Sequence, residues 1–289
     1  MEFINNKYIK NVSLITVVYN EADNINNFLK SYTEQEFYAE EFIVVDGGSE
    51  DGTIEILKKY SESNPDLNLK IKSDVRFSKS YSDSPIADAR NAAIELARCD
   101  YVAVTDAGCL LNKSWLYEIV KPFEDNTVDV VSGWYEAICD NGFQRRFADI
   151  FLPKKDDTNS KDFLPSSRSI AFKKSCWKAI NGYPNKSHYG EDTMYDILLK
   201  EKGFKFYFAP KAVVYWHAPA NLNDACRKYF NYGTGDGYYK LHRMYYLKLI
   251  VHALIPVKYL MTGDFVIKYR IYFSLLRGYF TGIVRRIKS

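Results

Sequence analysis

Between residues 13 and 134, five short apolar runs alternate with segments whose apolar residues recur at helical spacing. No other feature of the chain constrains its fold as much. Residues 13–18, 41–45, 69–73, 101–105 and 128–134 predict strands. Helices are predicted over 24–32 (Ile25, Phe28, Leu29), 53–60 (Ile54, Leu57, Tyr60), 85–98 and 114–123. Pro85 suits a first helical position and Ser114 an N-cap. Strands alternating with helices imply an α/β fold, a mostly parallel sheet flanked by helices and joined by right-handed crossovers. After Trp134 the pattern breaks. Residues 140–160 are polar, with Lys154-Lys155-Asp156-Asp157, and are expected to form a mobile loop over a site. A strand at 169–172, a helix at 173–180 closed by Asn181-Gly182, a helix at 191–202 and short strands at 204–209 and 213–216 follow. The remainder reads as helical, so the expected domains are 1–225 and a helical extension, 226–289.

The net charge of +3 hides an asymmetry. From Cys226 onward, twelve Lys and Arg face two acids, and fourteen Tyr and Phe accompany them, which leaves residues 1–225 at −7. A basic, aromatic tail suits an anionic membrane surface; a solvated helical face with snorkelling lysines and a nucleic-acid contact are the other readings. No run of about 18 apolar residues exists to span a bilayer. The nearest segment, 249–257, contains His252 and Pro256 and suits an interface instead. Five scattered cysteines without C-x-x-C spacing, and a start without a basic, apolar leader, predict a cytoplasmic enzyme, peripheral on the inner face of the plasma membrane.

Acidic residues stand where predicted strands end, the place where open α/β sheets bind ligands. Asp106 follows the strand at 101–105, and the helix before it delivers Arg90 and Asn91 to the same edge. One carboxylate with one guanidinium suits a ribose and a diphosphate. Asp46-Gly47-Gly48-Ser49 ends the second strand, and Val18-Tyr19-Asn20-Glu21 ends the first. Each also reads as an ordinary turn before a helix. Glu191-Asp192 opens a helix, where an ionised carboxylate can accept a proton from a hydroxyl or simply cap the helix. His217 ends an apolar strand, as a metal ligand, a phosphate contact or a structural histidine. Arg168 reads as a phosphate or acceptor contact or a surface ion pair.

In this order these motifs resemble the family 2 glycosyltransferases of GT-A fold, from Ser13 to Tyr239. They are Val18-Tyr19-Asn20-Glu21, Val45-Asp46-Gly47-Gly48-Ser49 with Asp51-Gly52-Thr53, Ala89-Arg90-Asn91, Thr105-Asp106-Ala107-Gly108, Gly190-Glu191-Asp192 and Tyr232-Gly233. The resemblance implies that Val18, Asn20, Glu21, Asp46, Gly48, Arg90, Asp106 and Ala107 bind the nucleotide. It implies Asp192 as general base beside Glu191, Asp106 with His217 at a divalent cation (Mn or Mg), and Arg168 with Trp134 at the acceptor or diphosphate. Gly108 departs from the family by replacing the second acid of Asp-x-Asp, and this resembles a subgroup with Asp-Ala-Gly there. The Gln-x-x-Arg-Trp motif of processive synthases is not evident, which favours transfer of single sugars.

The implied activity is inverting transfer of one sugar from a nucleotide-sugar donor, a UDP-sugar first, to a glycan or lipid-linked acceptor. A nucleotidyltransferase is the alternative enzyme, but it needs a glycine-rich, basic turn where this chain has Tyr19-Asn20-Glu21-Ala22-Asp23. An inactive sugar-nucleotide binder would have no need of Glu191-Asp192. No nucleic-acid partner is expected.

Overall fold

The structure, a computed structural model, describes residues 4–5, 7–155, 163–254 and 264–288. In chain order its elements are β1 (Ile4–Asn5), β2 (Tyr8–Val18), α1 (Ala22–Thr33), β3 (Tyr38–Asp46), α2 (Thr53–Ser63), β4 (Leu69–Ser73), α3 (Pro85–Leu96), β5 (Tyr101–Val104), β6 (Cys109–Leu111) and α4 (Trp115–Val120). They continue with β7 (Val130–Ile138), α5 (Gly142–Phe151), β8 (Ile170–Lys173), α6 (Lys174–Ala179), α7 (Glu191–Glu201), β9 (Phe206–His217), α8 (Leu222–Tyr239), α9 (Arg243–Leu254) and α10 (Phe265–Lys288). Two compact units emerge. The first holds Met1–Ile138, Pro153–Lys186 and Asp192–His217; the second holds Cys139–Leu152, Ser187–Glu191 and Ala218–Ser289. The expected boundary at 225/226 falls inside α8.

All the strands lie in the first unit, in one sheet of order β4-β3-β2-β5-β8-β7-β9-β6, with β1 paired to β2. The half from β4 to β5 is parallel throughout, as the strand–helix alternation requires. The other half is mixed. β8 enters antiparallel between β5 and β7, and β6 pairs antiparallel with β9, so the sheet is less parallel than the sequence predicts. The three-residue β6 is too short to show a period and was not foreseen. The two short strands expected at 204–209 and 213–216 form one, β9, whose register shifts beside Trp134. Central strands are buried on both faces, which explains their continuous apolar runs: Phe42, Ile43, Val44 and Val45 of β3 are all fully buried. On one face Val45, Val104, Ile170 and Phe172 share a core with Ala93 of α3 and Tyr195 and Leu199 of α7.

The second unit is helical. Residues 140–155 are not the loop the sequence suggests: most of them form α5, which begins with a capping box in which Asn141 and Gln144 satisfy each other's backbone. The rest of that expected loop, 156–160, lies outside the described residues, as do 255–257 of the apolar segment. Phe147 and Phe151 of α5 pack on Tyr229 of α8. Helices α8 and α10 run parallel and nearly touch. A Cβ on Gly233 would sit 2.1 Å from the Leu275 carbonyl oxygen, and one on Gly237 1.9 Å from that of Tyr279. Gly278 and Gly282 of α10 meet the backbone of Phe230 and Thr234 just as closely. Tyr246 of α9 stacks on Tyr279 at 3.8 Å and donates to Asp236 at 2.7 Å.

Candidate active site

Two loops at the carboxyl ends of β2 and β3 are stitched side by side. The Gly47 amide donates to the Val18 carbonyl, at 2.9 Å. The Asn20 amide donates to Ser49 Oγ at 2.8 Å, Glu21 N to Thr53 Oγ1 at 2.9 Å and Ala22 N to Asp51 Oδ2 at 2.9 Å. Asn20 returns a contact by accepting from the Glu50 amide. Gly48 is in the left-handed region at φ 81°, and a Cβ there would press to 2.9 Å of Val75 Cα.

Asp46, the expected nucleotide contact, is 0% exposed. Its carboxylate accepts from the amides of Gly48 (2.9 Å) and Ser49 (3.0 Å) and from the hydroxyls of Ser49 and Ser73. The group that sequence reading aims at a ligand thus organises the loop that surrounds it. Asn91 differs from expectation in the same sense. Its amide oxygen accepts from the Trp177 indole and the Tyr183 amide, and its nitrogen donates to the Tyr183 carbonyl. That side chain is spent on clamping α3 to residues 177–183.

Arg90 is buried, 4% exposed, and its Nη2 donates to Asp106 Oδ1 at 2.9 Å. The guanidinium lies 5.5 Å from the centre of the Tyr183 ring. Tyr183 in turn stacks on Tyr195 of α7 at 3.8 Å. This stack was not foreseen, because nothing local marks a tyrosine 93 positions from Arg90 as its platform. Burial pushes the Tyr183 hydroxyl well up; Arg90 pulls it back, while Asp196 and Asp192 push it further. Arg90, Tyr183, Asp192 and Asp196 therefore share one electrostatic neighbourhood. Asp196 is buried, and burial first, then the Asp192 charge, raise its carboxyl well above the usual range against Lys200 and Arg90. Asp192, second in α7, accepts from the Thr193 amide at 2.8 Å. Glu191, the first residue of α7, is buried and belongs to the second unit.

The Asp106 carboxylate is about one-third exposed. Glu21 feels it. Burial is the main cause that raises the Glu21 carboxyl; a hydrogen bond from Asn24 opposes this, and the charges of Asp106 and Asp51 add to it. Ala107 is buried, and the Cys109 amide closes the turn on the Asp106 carbonyl at 3.0 Å. Among the described residues nothing would lie within 4 Å of a Cβ at Gly108, so the position of the missing acid is open. Cys109 of β6 pairs with Trp216 of β9, and exposed His217 follows Trp216 as the last residue of β9. Arg168 is held by rings: its guanidinium carbon lies 4.8 Å from the centre of Trp216 and 5.2 Å from that of Tyr135, and Nη1 donates to Ser166 Oγ at 3.0 Å. Trp134 is buried against Phe208.

On the turn at 105–109 the Asp106 carboxylate offers a hard oxygen, Gly108 adds no side-chain ligand and the Cys109 thiol is buried. Among the described residues no cluster of three His, Cys, Asp or Glu forms a metal site. This donor set suits a cation completed by a ligand's own oxygens.

A family model described as glycosyl transferase family 2 matches residues 13–181, more than half of the chain and the segment that carries these loops. The chain belongs to this family. It is 27% identical over 229 residues to glycosyltransferase AglE of Haloferax volcanii, covering 78% of this chain and 72% of that protein. Its fold is that of GT-A glycosyltransferases. It matches the mannosyltransferase PcManGT from Pyrobaculum calidifontis, in complex with GDP-Man and Mn²⁺, with a TM-score of 0.69 at 20% identity over 94% of this chain and 87% of that one. S. aureus TarS 1-349 in complex with UDP-GlcNAc matches with a TM-score of 0.59 at 18% identity, over 96% of this chain and 92% of that one.

Proposed function

We propose that this glycosyltransferase inverts the anomeric centre as it moves one sugar from a nucleoside diphosphate donor to a hydroxyl of a glycan or lipid-linked acceptor. UDP-sugars are the first donors to test and GDP-sugars the second, in view of the two ligand-bound neighbours. The observation that carries the reading is the Arg90–Asp106 pair, fixed at the carboxyl end of β5 over the Tyr183 ring with open space at Gly108. It offers a carboxylate for a ribose and a buried cation beside it for a diphosphate. The stitched loops at Asn20–Glu21 and Gly48–Ser49 border the place for the nucleoside.

In the reaction, Asp192 takes the proton of the acceptor hydroxyl. The acceptor oxygen attacks the anomeric carbon from the face opposite the diphosphate, whose C–O bond breaks with its electron pair leaving on the phosphate oxygen. Arg90 offsets the charge that grows there, and Arg168, steadied by Tyr135 and Trp216, supplies a second cation at the β7–β9 edge. Mg²⁺ or Mn²⁺ held by Asp106 and the donor's oxygens, with His217 at the next strand end, would supply further neutralisation. We read Asp106-Ala107-Gly108 as the mark of a subgroup, not as loss of activity.

Calorimetric titration with UDP, GDP and dTDP, each with Mn²⁺ and with EDTA, tests the site. One nucleotide should bind. Asp192→Asn should then cut turnover by about 10²–10⁴-fold and leave nucleotide affinity unchanged. Failure of every nucleotide to bind overturns the transferase reading; near-normal turnover in Asp192→Asn removes the assigned base. Binding without turnover on any donor identifies an inactive binder.

A further inference from the structure

Helix α10 is apolar on two faces. Toward α8 it presents Gly278 and Gly282, so close that neither position has room for a methyl group. Ile271, Leu275, Leu276 and Tyr279 are buried as well, but a second set of bulky apolar side chains points outward: Val266, Tyr269, Phe273, Phe280, Val284 and Ile287 are 39–79% exposed. These positions recur at three- and four-residue steps and form one stripe along the helix. A helix whose only neighbours are protein and water buries its large apolar groups and carries polar ones on its outer face. Small residues at a close helix pair, with large apolar residues turned outward, is the arrangement used where the outer solvent is lipid.

Charge follows the stripe. Arg277 stands within it, and Arg270 and Lys288 lie along its border at the helical period. Neither α9 nor α10 contains an acidic residue. α9 repeats the pattern on a smaller scale, with Tyr246 and Leu249 buried and Met244, Leu247 and Val251 exposed at the same spacing. A second copy of this chain would bring the same cations to the stripe, and a nucleic acid has no use for exposed valine, isoleucine and phenylalanine. Among the described residues no helix is long and apolar enough to cross a membrane.

We propose that the outward stripe of α10 seats on the surface of an anionic lipid bilayer, its apolar side chains entering the headgroup boundary and its cations meeting lipid phosphates. The stripe lies within the basic, aromatic tail at 226–289; of the apolar segment at 249–257, Leu249 is buried in the helical core and Val251 is exposed. The inference does not depend on the activity proposed above, because its test reads no sugar transfer.

The test is cosedimentation of the full chain with phosphatidylcholine vesicles and with vesicles containing 30% phosphatidylglycerol, a fraction of about one third chosen to give a strong surface charge. The chain should pellet with the anionic vesicles and stay in solution with the neutral ones. Phe273→Ser with Val284→Ser should lower partitioning at least about tenfold. Arg277→Glu with Lys288→Glu, which leaves the apolar stripe intact, should do so by a similar or larger factor. All four positions are exposed, and unchanged far-ultraviolet circular dichroism confirms that the variants fold. An intact chain that ignores anionic vesicles overturns the proposal. So do variants that bind as well as the parent, or a dimer in light scattering that Phe273→Ser dissolves.

Discussion

Replacing Asp46 with alanine removes one carboxylate and strands four donors: the Gly48 and Ser49 amides and the Ser49 and Ser73 hydroxyls. A hydrogen bond to a charged acceptor is worth about 1.5–3 kcal/mol. Gly48, Ser49 and Ser73 sit near water, and the space left by the carboxylate lets water reach them, so roughly half of that sum is recovered. The expected loss is about 3–6 kcal/mol, or a fall in Tm of about 6–20 °C. The damage should spread, because Ser49 also accepts from the Asn20 amide in the neighbouring loop. Loosening Ser49 loosens both loops, and nucleotide affinity should fall at least about tenfold, as expected when a preorganised site must be ordered by its ligand. Asp46→Asn keeps one oxygen acceptor and should cost about 1–2 kcal/mol. Differential scanning fluorimetry and calorimetric titration of the three proteins read both effects. Asp46→Ala with a Tm within about 1 °C of the parent would refute the reasoning, since the network would then carry no stability. A weakened Kd with an unchanged Tm would mean that the carboxylate meets the nucleotide directly.

Gly108→Asp places the missing acid in open space, so Tm should be unchanged while EDTA costs the variant more nucleotide affinity than it costs the parent; equal EDTA sensitivity counts against a cation at Asp106. Gly237→Ala should destabilise the protein by about 2 kcal/mol or more, although helix propensity alone favours alanine by about 1 kcal/mol, because its Cβ would lie 1.9 Å from the Tyr279 oxygen. A thermal melt decides the sign. Burial of the Glu41 carboxylate opposes its charge, but hydrogen bonds from Lys70, Ser13 and the Arg98 amide outweigh that and hold it down at about 2. A carboxylate depressed from 4.5 stabilises the fold fully above about pH 5 and loses that contribution as the pH falls toward about 2. Discounted for the exposure of Lys70 and Arg98, the contribution is about 2–3 kcal/mol, so denaturation midpoints of the parent and Glu41→Gln should converge between pH 5 and about 2.5. Parallel curves would exclude it.

The parallel half of the sheet and the carboxyl-end position of Asp46 and Asp106 were legible because strand and helix periods are local properties, written within a dozen residues. The capping box of α5 was legible in principle, since Asn141 and Gln144 stand three apart at the start of a run with Phe143, Phe147 and Phe151 at four-residue steps, but the polar neighbours masked it. The sequence by itself determined which residue types reach the sheet edge, and how basic and aromatic the tail is. Only the tertiary structure decided what they do there. It turned Asp46 inward to its own loop, spent Asn91 on Trp177 and Tyr183, and set Arg168 on rings from two other strands. It also decided which face of α10 is inside, because the glycines of two helices 45 residues apart in sequence meet there, beside buried Leu275 and Tyr279, and leave Val266, Phe273 and Val284 outward. Each of these is a choice of partner across long stretches of chain. A local period shows that a side chain has a face; packing alone determines what lies against it.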